Sequence, residues 1–133
     1  MPDLKTQGKA AFVFPGVGVT PSGHEGEFLN RHREVMQPFL DEAGAFAGED
    51  LAAAVAPPSA VGAAGRPSSR AEELRTYAFD CAVAAVYRNS GLEPSYVAGH
   101  SLGIYAALAV GGAVSFGDGL AMVERARAFV REA

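Results

Sequence analysis

One cysteine, Cys81, occurs in the 133 residues. No internal disulfide can form, which suits a reducing cytoplasm. No apolar run is long enough to span a membrane: Leu102 to Val114 comes closest and is broken by Gly103, Gly111 and Gly112. Met1 to Ala10 is polar and lacks the apolar core of a signal peptide. There is no internal repeat and no second domain in view. No H-E-x-x-H zinc motif occurs, because Phe28 stands where its second histidine would fall. His24 and His32 therefore read as solvated surface histidines and not as metal ligands. A dinucleotide fingerprint fails as well: Gly16 and Gly18 fit the first two glycines of G-x-G-x-x-G, but Pro21 takes the third place. The net charge of −4 lacks the basic excess of a nucleic-acid binder and leaves protein partners open.

Apolar residues make up 49% of the chain, enough for one globular domain with a buried core. After a polar lead-in, Ala10 to Phe14 is a continuous apolar run stopped by Pro15-Gly16, and reads as a central strand buried on both faces of a parallel sheet. The loop Pro15 to Gly23 is rich in glycine and proline. It is either an ordinary turn or a backbone, with Gly16 at its start, that approaches a ligand closely. Glu27 to Phe46 has helical spacing, with Phe28, Val35, Phe39 and Ala43 as a stripe and Met36 and Leu40 beside it. Pro38 predicts a kink there, or two helices meeting. Leu51 to Ala56 suggests a short helical turn, and Pro57 to Ser69 a surface loop. Ser69-Arg70-Ala71-Glu72 is a capping box. It opens a helix with Ala71, Leu74, Ala78, Cys81, Ala82, Ala85 and Val86 on its stripe, closed by Gly91 in a left-handed conformation. Cys81 lies within that stripe and reads as core. Ser115 caps a last helix, Phe116 to Ala133, with Asp118 in its first turn and Leu120, Val123, Ala126 and Val130 inward.

Between these helices lies Gly99-His100-Ser101-Leu102-Gly103. Tyr96-Val97-Ala98 before it reads as a buried strand, and Ile104 to Val110 after it as a helix. Strand, G-x-S-x-G, helix is the pattern of a nucleophile elbow. A serine at so sharp a turn is strained and exposed. Small residues on either side let strand and helix pass close together, and the helix N-terminus aims free N–H groups at the reacting centre. A glycine-rich turn with serine as a mere cap fits the same five residues; the flanking strand and helix favour the elbow. The order of strand, helices, strand and helix predicts an α/β fold with a parallel sheet and flanking helices.

Gly99 to Leu108, GHSLGIYAAL, resembles the G-H-S-L-G-E-Y-A-A-L block of malonyl-CoA:acyl carrier protein transacylases and of the acyltransferase domains of polyketide and fatty acid synthases. Phe12 to Gly18, FVFPGVG, resembles that family's opening F-V-F-P-G-Q-G. The resemblance implies the α/β-hydrolase-like large subdomain of an acyltransferase, incomplete here, with residues 1–133 its N-terminal portion. It implies an enzyme in which Ser101 forms an acyl-enzyme and moves an acyl group between thioesters of coenzyme A or acyl carrier protein, in polyketide or fatty acid biosynthesis. It puts the oxyanion hole at the backbone N–H groups of Val17 and Leu102, and His100, Tyr77, Gly16 and Arg125 around the substrate. No metal or organic cofactor is implied, and no nucleic acid or membrane. The partners are the carrier protein, the acyl thioester and a second polypeptide or fragment carrying the rest of the fold.

A serine hydroxyl needs a base. His100 cannot easily serve its neighbour, because adjacent side chains at a turn diverge. In the family the catalytic histidine lies further along, beyond an inserted subdomain that would begin near Ala133. Several positions depart from the family. Val17 and Thr20 replace glutamines, Ile104 replaces a glutamate, and Tyr77 stands where many members carry glutamine. The arginine that pairs with a malonyl carboxylate falls on Ala126, between Arg125 and Arg127. Neither neighbour points the same way on a helix turning 100° per residue. The expected acyl group is therefore uncharged or bulkier than malonyl. A hydrolase that clears carrier proteins and a non-catalytic docking module are the alternatives.

Overall fold

The computed structural model describes residues 8–17, 23–53 and 69–132. Two short strands, β1 (Ala11–Phe14) and β2 (Tyr96–Gly99), pair in parallel, with Phe12 opposite Val97 and Phe14 opposite Gly99. Between them run α1 (Glu25–Arg31), α2 (Arg33–Ala47) and α3 (Arg70–Asn89); α4 (Gly103–Val110) and α5 (Phe116–Glu132) follow. This is the expected α/β class. The strands are not buried on both faces, however. Val13 is 70% and Tyr96 59% exposed, and Ala11 and Ala98 share that open face. Helices pack only on the side of Phe12, Phe14 and Val97, so an apolar run expected of a fully covered strand is covered on one side among the described residues.

The break in the first helical stretch falls at His32 and not at Pro38. His32 leaves helical geometry at φ −116°. Its N–H closes α1 on the Phe28 carbonyl (3.0 Å), and its carbonyl opens α2 by accepting from Met36 (3.0 Å). Pro38 then lies in the second turn of α2, where its missing N–H removes only one bond and the helix runs on. The buried face of α2 is Met36, Leu40, Ala43 and Gly44. Phe28, Val35 and Phe39 are partly covered at its edge. Leu51 is buried in a bend that passes into a turn at residue 53; residues 54–56 of the expected helical turn and the expected loop over 57–68 lie outside the described residues.

At Ser69 the capping box closes as expected. The Ser69 hydroxyl accepts from the Glu72 N–H (3.1 Å), and the Glu72 carboxylate accepts from the Ser69 N–H (2.6 Å). The buried stripe of α3 includes Leu74, Tyr77, Ala78, Cys81, Ala82, Ala84 and Val86. Gly91, at φ +93°, ends it in the left-handed region. Two ion pairs join α3 to α5: Arg70 to Glu124 (2.7 Å) and the nearly buried Arg127 to Glu73 (3.0 Å). The Ser115 hydroxyl caps α5 by accepting from Asp118 N–H (3.0 Å). Leu120 and Val123 are buried, whereas Val130 is 73% exposed. Residues 128–131 are all exposed, so the end of α5 outruns the elements it packs on and Val130 is not an inner residue.

Candidate active site

The parallel pairing brings the C-terminal ends of β1 and β2 side by side, and the chain turns sharply at both. Past β2, the His100 N–H donates to the Phe14 carbonyl (3.0 Å), which extends the pairing by one residue. The Gly103 N–H then donates to the His100 carbonyl (2.9 Å) and the Ile104 N–H to the Ser101 carbonyl (3.1 Å), starting α4. Ser101 sits at the apex with φ +54°, the one non-glycine residue in the left-handed region among those described. Such a backbone costs on the order of 1–3 kcal/mol and persists only where its surroundings impose it.

Packing supplies that constraint. A Cβ on Gly99 would run into the Gly103 carbonyl oxygen, and one on Gly103 into the Phe14 carbonyl and, at 2.8 Å, that of Pro15. Three backbone segments therefore meet where no side chain fits, which is why both flanking positions of the motif are glycine. Leu102 points inward, 8% exposed. Ser101 is left outside. A Cβ on Gly16 would lie 3.1 Å from Ser101 Cβ and 3.5 Å from His100 Nδ1. The turn after β1 thus presses directly on the serine, and Val17 follows it. Neither the Val17 nor the Leu102 N–H donates to a main-chain partner among the described residues. The described residues make no hydrogen bond to the Ser101 hydroxyl.

Of the residues singled out in the sequence, Ser101, His100, Leu102, Gly16 and Val17 converge here. Tyr77 does not, and this corrects the expectation. It is 0% exposed, its hydroxyl donates to the Phe116 carbonyl (2.8 Å), and its ring stacks on Phe116 at 5.2 Å. Its hydroxyl lies against Gly119, where a Cβ would strike it. Burial pushes its hydroxyl pKa far up, helped by Cys81. With the hydroxyl committed and no surface, Tyr77 has nothing to offer a substrate. Arg125 is exposed, about 200° around α5 from both Val123 and Arg127. Arg127, not Arg125, is the arginine that turns into the fold, and Glu73 holds it. Thr20 lies outside the described residues. Cys81 is buried, with burial pushing its thiol up to about 12, as befits core and not a nucleophile. His24 is largely exposed beside Glu27; His32 is half-buried, its ring 4.5 Å from that of Phe28.

Sequence reasoning missed Asp80. It faces a groove beside β1. One carboxylate oxygen is buried without a partner, and burial raises its pKa to about 7. The sequence offers only an aspartate between Phe79 and Cys81 in an apolar helical stretch.

Over most of its length the chain is similar to known acyltransferases. It is 35% identical over 132 residues to malonyl CoA-acyl carrier protein transacylase of Escherichia coli (strain K12), covering 92% of this chain and 39% of that protein. The S-malonyltransferase of Burkholderia pseudomallei 1710b superposes with TM-score 0.68 at 34% identity, over 87% of this chain and 36% of that one. A malonyl-transacylase solved in complex with its type II polyketide synthase acyl-carrier protein superposes with TM-score 0.71 at 28% identity, over 88% of this chain and 37% of that one. No family model matches. The chain is thus a relative of the malonyl-CoA:acyl carrier protein transacylases, and it spans about two fifths of the length of the curated relatives it matches.

Proposed function

We propose that this chain is the nucleophile-bearing N-terminal part of an acyltransferase, in which Ser101 carries an acyl group between thioesters of coenzyme A and acyl carrier protein. The observation that carries the reading is the left-handed, exposed Ser101 wedged between Gly16, Gly99 and Gly103. Ser101 Oγ attacks the thioester carbonyl, and its proton leaves to a base. The tetrahedral oxyanion collapses with cleavage of the C–S bond, and the departing thiolate takes the proton. A carrier-protein thiol then attacks the seryl ester by the reverse sequence. The N–H groups of Val17 and Leu102 are the oxyanion donors in this scheme. Each contributes about 3 kcal/mol to the transition state if it resembles measured donors. That Val17 replaces a glutamine does not matter to a main-chain N–H.

The base comes from outside the described residues, on the remainder of the acyltransferase fold or on a second polypeptide that carries it. The carrier protein is the expected partner, by analogy with the relative solved bound to one. The reducing conditions suited to a free cysteine fit a cytoplasmic reaction. The acyl group is not malonyl in this reading. Ala126 occupies the arginine position, Arg127 is held by Glu73 and Arg125 points away from Val123. Without a bidentate arginine a free carboxylate loses several kcal/mol of binding. The test is acyl transfer by the natively purified protein from acetyl-, butyryl- and malonyl-CoA to a carrier protein. Transfer of the uncharged groups that disappears in Ser101→Ala supports the reading. A preference for malonyl overturns the substrate assignment. Acyl groups released to water in place of transfer would make the protein a hydrolase. Activity untouched by Ser101→Ala overturns the whole mechanism.

A further inference from the structure

The Ile104 N–H donates to the Ser101 carbonyl (3.1 Å), and the Tyr105 N–H to that of Leu102 (3.2 Å). Ser101 therefore stands at the N-terminal end of α4, one turn before Ile104. On a helix, residues three apart are neighbours on one face, and each Cα–Cβ bond tilts toward the N-terminus. The side chain of Ile104 thus covers the turn before it, which is the turn that carries Ser101. That direction is set by α4 itself and holds whatever else packs around the site.

The neighbours of Ile104 are turned elsewhere. Leu102, Gly103, Ala106 and Ala107 are buried, whereas Ser101 and Ile104 are both exposed. The turn after β1 closes the Gly103 side. A Cβ on Gly103 would lie 2.8 Å from the Pro15 carbonyl oxygen, and one on Gly16 3.1 Å from Ser101 Cβ. Ile104 is branched at Cβ and stiff at χ1, so it makes a fixed apolar wall. Such a wall favours methylenes, and strips water from a carboxylate without bonding to it.

We propose that Ile104 is a specificity-determining residue: the carbons of the acyl group beyond C2 lie against it, and it selects short saturated acyl chains over acetyl. The inference rests on the acyltransferase reading of Ser101 and deepens it by naming a side chain that chooses the acyl group. The bonds are those of acyl loading: the Ser101 ester forms, the C–S bond breaks, and the thiolate leaves with the serine's proton.

The test offers equal concentrations of acetyl- and butyryl-CoA to the natively purified protein, with whatever polypeptide accompanies it. The two Ser101 esters are measured by mass after an early acid quench. Butyryl should exceed acetyl by about tenfold. In Ile104→Ala, and in Ile104→Thr, where a hydroxyl replaces the ethyl group, the ratio should fall to within about threefold. Because both esters come from one mixture, a general loss of activity does not move their ratio. Equal loading in the parent would overturn the role of Ile104 whether or not the variants fold, and so would one ratio shared by parent and variants. In either case the ester on Ser101 would keep the acyltransferase reading. No ester on Ser101 from either thioester would overturn both.

Discussion

Asp80 should make the free chain lose stability as pH rises. Its carboxyl is raised from 3.8 to about 7, with burial as the cause. The folded state therefore holds the proton more tightly than the unfolded one. The stabilisation from that proton is complete below about pH 4, fades as pH rises through about 7 and is gone above it. A shift of about three units at 1.36 kcal/mol each corresponds to roughly 4 kcal/mol, a large share of a typical domain's 5–15 kcal/mol. Asp80→Asn carries no charge at any of these pH values. The variant should match the parent near about pH 4 and exceed it by as much as roughly 4 kcal/mol near about pH 8. Urea unfolding followed by far-UV circular dichroism, at several pH values for both proteins, measures the difference directly. Taking the difference removes the titration of every other group. Stability curves that run parallel from acid to alkaline pH would refute the reasoning, and would mean that Asp80 is solvated or already paired.

Three further substitutions probe the site and its support. Ser101→Gly should raise thermal stability, by about 1–3 kcal/mol, by releasing the left-handed strain, while abolishing acyl transfer; a destabilised variant would show that Ser101 is not strained. Gly103→Ala should cost about 3 kcal/mol or prevent folding, because the added methyl meets the Phe14 and Pro15 backbone; unchanged denaturant unfolding would contradict the close packing of strand and helix. Tyr77→Phe should cost about 1 kcal/mol by losing the hydrogen bond to Phe116 and leave acyl transfer unchanged; a selective loss of kcat at unchanged stability would return Tyr77 to the substrate pocket.

Much of this site could be read before any coordinates, because its determinants are local. Two glycines around a serine, an apolar strand before and an alanine-rich helix after carry the elbow in their spacing. The capping box at Ser69 and the cap at Ser115 are equally local. What escaped depends on neighbours distant in the sequence. Ala11 and Val13 read as buried because an apolar run in a parallel sheet is normally covered twice; among the described residues the sheet has two strands and one face is open. Pro38 looked like the break, but a proline early in a helix sacrifices one bond, and the backbone departs at His32 instead. Tyr77 matched a family position, yet its contacts with Phe116 and Gly119 are tertiary and put it in the core. Asp80 went unremarked because an acid within an apolar helical stripe means little until the structure shows that its oxygen lacks a donor.

The central claim is that the strained serine of the elbow is a nucleophile toward thioesters. The natively purified protein, with whatever polypeptide accompanies it, should be mixed with acetyl- and butyryl-CoA, quenched in acid, and analysed by intact mass and peptide mapping. The account predicts one acyl group per chain, on the peptide containing Ser101, absent from Ser101→Ala. An unmodified chain, or an acyl group on any other residue, would contradict it.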